Sequence, residues 1–102
     1  MKVKINIISG LVAHSIFIDD VKNECLVDGV EKVIDTKAFI DNLLPLTISW
    51  KKKMIGEKYL DGNSYSLEIT DGDQVISYVG KNSFPENYNE FVELIRGVIA
   101  ND

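Results

Sequence analysis

The chain has 102 residues, 45% apolar and 26% charged, with a net charge of −5. That length makes one domain spanning residues 1–102, with a core that needs no covalent staples. The single cysteine excludes an intrachain disulfide, and the acidic balance argues against a nucleic-acid role, which calls for a basic footprint.

Lys2 to Ser9 alternates, with Val3, Ile5 and Ile7 on one face and Lys2, Lys4 and Asn6 on the other, and so reads as a half-buried strand. Val3 to Ile8 is too short and too interrupted for a signal peptide, and no apolar run approaches the about 20 residues that span a bilayer. A cytoplasmic location is expected. Gly10 marks a turn or bulge before a second strand around His14 to Asp19. Asp19 to Asn23 is a polar connection, and a third strand covers Glu24 to Val27, ending at Asp28-Gly29. Val30 to Ile34 is either a short strand or an extended lead into a helix. Asp35 or Thr36 caps that helix, whose apolar stripe is Ala38, Phe39, Ile40, Leu43 and Leu44. Pro45 is expected to end or kink it. Leu46, Ile48 and Trp50 alternate with Thr47 and Ser49, which favours an extended segment over a continued helix. Lys51 to Lys58 reads as a basic loop.

Asp71-Gly72 then lies between two alternating runs, the pattern of a hairpin with a type I′ turn. Such a loop places Thr70 opposite Asp73, Ile69 opposite Gln74, Leu67 opposite Ile76 and Tyr65 opposite Tyr78. One face of the hairpin is apolar and aromatic; the other carries Ser64, Ser66, Glu68, Val75, Ser77 and Val79. Gly80 ends the second strand and Phe84-Pro85 turns the chain. Asn87 is preferred over Ser83 as the cap of a final helix, in which Tyr88, Phe91, Val92, Ile95, Val98 and Ile99 recur at helical spacing. Gly97 weakens its last turn by about 1 kcal/mol relative to alanine.

The residues Trp50, Tyr59-Leu60-Asp61-Gly62, Tyr65, Leu67, Gly80-Lys81-Asn82-Ser83-Phe84-Pro85-Glu86-Asn87-Tyr88 and Phe91 carry a resemblance. Over roughly the C-terminal half, the chain resembles a loose family of small bacterial domains of unknown function. Those domains share an aromatic, an Asp-Gly, an aromatic-rich strand, a Gly-x-Asn-x-aromatic-Pro element and a closing helix. The resemblance implies a fold and no activity.

The order strands–helix–strands–helix predicts an α+β fold: an antiparallel sheet of about five strands with two helices on one face. Candidate chemistry is sparse. His14 and Cys25 are the only residues of their kinds, and a hairpin around Lys22 puts His14 near Asp28 and Cys25 near Phe17 or Asp19, which separates them. Cys25 reads as a small buried hydrophobe, and His14 as a strand-end surface residue. Asp19-Asp20 and Asp71-Gly72-Asp73 lack calcium-loop spacing. Asp61-Gly62-Asn63 reads as a turn, and Gly80-Lys81-Asn82 lacks the Walker spacing. The aromatics Trp50, Tyr59, Tyr65, Tyr78, Phe84 and Tyr88 read as core. No catalytic, cofactor-binding or metal-binding residue is assigned.

The expected function is a non-catalytic protein-interaction domain, of inhibitor, immunity or regulatory type, docking through the outer sheet face that carries Val75 and Val79. The alternative is a small-ligand or enzymatic domain with a pocket near His14, Asp61 and Tyr78. A second alternative is weak nucleic-acid binding through Lys51, Lys52, Lys53 and Lys58, and self-association remains open because an unpaired strand edge invites it.

Overall fold

The alternating N-terminal run becomes the middle of the sheet. In a computed structural model, which describes residues 1–9, 11–56 and 63–100, it forms β1 (Lys2–Ser9). The chain continues through β2 (Val12–Asp19), β3 (Glu24–Val27), β4 (Val30–Glu31) and α1 (Thr36–Thr47). It then forms β5 (Lys53–Ile55), β6 (Ser64–Asp71), β7 (Gln74–Lys81) and α2 (Tyr88–Ile99). The class is α+β, with two helices among the described residues. The sheet is larger than expected, with seven strands among the described residues in the order β4-β3-β2-β1-β6-β7-β5. It is also mixed rather than antiparallel, because β5 runs parallel to β7.

Register explains the core. Val3 and Ile5 on β1 stand between Ile18 and Ile16 on β2 and Ile69 and Leu67 on β6. These side chains share one face and are buried together with Cys25, Val27, Phe39, Ile40, Leu43, Phe91, Ile95 and Val98. Both helices therefore cover the same face of the sheet, and the other face stays open.

The hairpin register differs from the expected one by two residues. Gly72 takes a positive φ of 60° whereas Asp71 and Asp73 do not, so the turn is centred on Gly72-Asp73, as in a type II′ turn with glycine first. Asp71 faces Gln74, Ile69 faces Ile76, Leu67 faces Tyr78 and Tyr65 faces Gly80. A shift of two preserves which side chains share a face. Packing selects it: the Tyr65 ring occupies the space over Gly80, where a Cβ would overlap the ring. The strand also runs one residue beyond Gly80, to Lys81.

The first helix starts as expected. Asp35 Oδ1 accepts from the Ala38 amide at 3.0 Å. Ala38 itself is exposed, and the buried positions are Thr36, Phe39, Ile40, Leu43 and Thr47. Pro45 does not end the helix, and Leu46 and Thr47 are helical rather than extended. Pro45 has no amide to donate to the Asp41 carbonyl and its ring crowds that carbonyl, but only two helical residues follow it. Thr47 closes that turn by donating Oγ1 to the Leu44 carbonyl at 3.1 Å and accepting the Trp50 amide at 3.0 Å. Of Val30–Ile34, only Val30–Glu31 pairs as a strand. Lys53 opens β5 instead of lying in a loop. The Lys52 carbonyl accepts from Val79 at 2.9 Å, and the Gly56 amide donates to Lys81 at 2.8 Å.

Candidate functional site

The open face is built from alternate residues of each strand. One row across it runs Leu26, Phe17, Lys4, Glu68, Ser77. The next runs Ser15, Asn6, Ser66, Val79, Lys53, and a third runs Ala13, Ile8, Ser64, Lys81, Ile55. Small side chains line its middle, so the strands lie close to the surface there. Apolar groups stand out along β7 and β5: Val75 is 57% exposed, Val79 42% and Ile55 63%. The expected docking positions Val75 and Val79 thus lie on this face. The β5 strand adds Ile55 and Lys53, which have no strand-like pattern of their own in so short a segment.

His14 lies within β2 rather than at its end, opposite Ile7 and half-exposed. Asp28 organises it. With φ at 52°, Asp28 donates its amide to the Ser15 carbonyl and accepts the Ser15 amide on Oδ1, both at 2.7 Å. Its Oδ2 lies 2.8 Å from His14 Nδ1. The His14 hydrogen bond, then the Ser15 amide, hold the Asp28 carboxyl below the usual carboxylate range. An ionised carboxylate only accepts, so His14 Nδ1 carries the hydrogen and Nε2 is the free ring position. His14 lines a cleft of about 450 Å³ whose walls are mostly apolar, among them Ile7, Val12, Tyr88, Val92 and Ile99.

The other residues of the expected pocket are not gathered there. Tyr78 lines a separate groove of about 540 Å³ between the end of α1 and the β6–β7 hairpin, with Ile48 and Ile76. Asp61 lies outside the described residues, as do Tyr59, Leu60, Gly62 and Lys58. Cys25 is buried opposite Ile18 on the core side, not opposite the expected Phe17 or Asp19, which alternate to the open side of β2, and burial pushes its thiol pKa up. That environment suits a packed side chain, not a nucleophile. Among the described residues, no three His, Cys, Asp or Glu side chains gather as metal ligands would.

The aromatics pack between sheet and helices. Trp50 meets Phe91 at 4.9 Å, Tyr65 at 5.4 Å and Tyr78 at 5.8 Å between ring centroids, each edge to face. Trp50 and Tyr65 are buried, while Tyr78, Phe84 and Tyr88 are half-buried. Burial, with Tyr65 nearby, pushes the Tyr88 hydroxyl up to about 12. Asn87 stands at the cap position of α2 but makes no side-chain cap bond. Its amide group serves Trp50 and Leu46 instead. No sequence pattern signalled this, because both partners are distant in the chain.

No helix among the described residues is long and apolar enough to cross a membrane. No protein-family model, curated protein or solved structure matches the chain.

Proposed function

We propose that the chain is a non-catalytic protein-interaction domain that docks through its open sheet face. The observation that carries this reading is the exposed apolar strip Val75, Val79 and Ile55 on a face that neither helix covers. Isolated exposed side chains are ordinary, but several apolar groups on two paired strands at one side of an uncovered sheet make a surface that gains by being covered. Cytoplasmic action and kinship with the small bacterial domains named above belong to the same proposal. The test is capture from lysate of its own source organism with wild-type bait and with Val75→Ser/Val79→Ser bait. A stoichiometric protein retained by the first and lost by the second is expected. Equal retention by both removes the face from the proposal.

A second reading, small-ligand binding, is favoured by the apolar cleft where Asp28 orients His14. A ligand pool that raises the melting temperature of the wild type, and not that of His14→Ala, would establish it.

A further inference from the structure

The chain carries a net charge of −5, yet its charges are not evenly spread. The exposed surface of the helices carries Asp41, Glu90 and Glu93 against Lys37 and Arg96, and Arg96 is already paired with Glu93 at 2.8 Å. The open side of β1, β6, β7 and β5 has the opposite sign. Its outward positions include Lys2, Lys4, Lys53 and Lys81, and Glu68 is the one carboxylate among them, opposite Lys4; the rest of the open side, on β2, β3 and β4, carries Asp19 opposite Lys2, with Glu24 and Glu31, so the cationic patch is confined to these four strands, β1, β6, β7 and β5. No described carboxylate lies within ion-pairing distance of Lys4, Lys53 or Lys81. The β5 strand brings this about: by running parallel to β7 it sets Lys53 beside Val79 and Ile55 beside Lys81. Cation and apolar group thus alternate along one edge of the face.

We propose that this face docks an acidic protein surface, with Val75, Val79 and Ile55 making the dry contact and Lys4, Lys53 and Lys81 pairing with the partner's carboxylates. The inference rests on the protein-interaction reading above and adds the partner's chemistry. Opposed charge raises the rate of encounter and rejects like-charged surfaces, so a cationic patch around the exposed apolar groups of an acidic molecule selects for acidic partners. The four strands β1, β6, β7 and β5 at a spacing of about 4.8 Å make the cationic patch about 14 Å wide, and eight residues at about 3.4 Å make it about 27 Å long. That area suits a contact at the small, transient end of protein interfaces. A nucleic acid fits less well. Phosphates offer the exposed valines and isoleucine no apolar contact, and single strands are held by aromatic platforms. Phe17 is the one described aromatic facing this side; the others lie on the helix side or in the core.

The test uses four baits: wild type, Val75→Ser/Val79→Ser, Lys4→Glu/Lys53→Glu/Lys81→Glu, and a control, Lys22→Glu/Lys37→Glu, whose lysines lie away from the face. All the changed side chains are exposed, and far-UV circular dichroism verifies that each bait is folded. The captured protein is purified and titrated against each bait at low and high salt. Expected is an acidic protein bound by wild type and control, and at least about tenfold more weakly by both face variants, with wild-type affinity falling as salt rises. If the valine variant weakens binding and the charge reversal does not, docking through this face stands and the acidic partner is refuted. Undiminished binding by both face variants overturns both readings, as does a wild-type bait that retains nothing. Parallel titrations use a single-stranded oligonucleotide and vesicles of equal parts phosphatidylserine and phosphatidylcholine. Binding of either that the charge reversal abolishes, with no acidic protein retained, overturns the proposal in favour of a nucleic acid or a membrane surface.

Discussion

Trp50 donates its indole Nε1 to Asn87 Oδ1 at 2.7 Å, and the same Asn87 side chain donates Nδ2 to the Leu46 carbonyl at 2.8 Å. One amide therefore joins the start of α2 to the end of α1 and to the ring at the centre of the aromatic cluster. The indole is buried, so an unpaired N–H there carries its full desolvation penalty. Asn87→Ala is expected to destabilise the domain by about 1–3 kcal/mol in chemical denaturation. Combined with Trp50→Phe, which removes the donor, the loss should be clearly less than additive. A change below about 0.5 kcal/mol in the single variant would show that the amide is not a structural link.

Gly80 and Tyr65 occupy one space between them. A Cβ at Gly80 would overlap the Tyr65 ring, so Gly80→Ala should destabilise the fold by about 1–3 kcal/mol or more. Tyr65→Phe should behave oppositely. The Tyr65 hydroxyl is buried without a hydrogen-bond partner, so its removal should be neutral or stabilising, by up to about 1 kcal/mol. Thermal melts of the two variants measure both signs.

Gly97 stands on the exposed side of α2, and a Cβ there meets nothing within 4 Å. Alanine loses less chain entropy on folding into a helix, so Gly97→Ala should raise stability by about 0.5–1 kcal/mol. A loss of stability, read by denaturant midpoint at unchanged slope, would contradict the placement of Gly97 in the wet face.

The link between His14 and Asp28 predicts a pH effect. Hydrogen bonding by His14 and by the Ser15 amide lowers the Asp28 carboxyl pKa in the folded state. Its contribution is then present above the unfolded carboxylate value of about 3.9 and fades as pH falls through the folded value. Asp28→Asn keeps a side chain that accepts the positive φ and removes the titration. Acid unfolding curves should show the variant losing less stability than wild type below about pH 4. Parallel curves would mean that the bond contributes nothing to folding.

Periodicity and turn chemistry made much of this fold legible, and the exceptions share a cause. Alternation in Lys2–Ser9 and helical spacing in Tyr88–Ile99 gave those two elements their observed bounds. Alternation also sorted the hairpin side chains correctly between faces. It left the register two residues out, because a two-residue shift changes no face and only the Tyr65–Gly80 packing separates the two pairings. The β5 strand, Lys53–Ile55, was hidden in the stretch Lys51 to Lys58 read as a basic loop, because three edge residues held by a distant strand carry no local pattern. Capping rules found the position of Asn87 but not its role, since Trp50 lies 37 residues away. The open face was half legible: Val75 and Val79 lay on it by count, while Lys53 and Ile55 joined it only through the parallel pairing.

The most direct test of docking through the open sheet is the solvent exposure of methyl groups, read by NMR with an inert paramagnetic agent, free and in complex with the captured partner. The account predicts that Val75, Val79 and Ile55 become shielded while Ile48 and Val33, both exposed elsewhere, stay as accessible as before. Shielding of Ile48 and Ile76, with Val75, Val79 and Ile55 unchanged, would place the partner in the groove beside α1 and contradict the account.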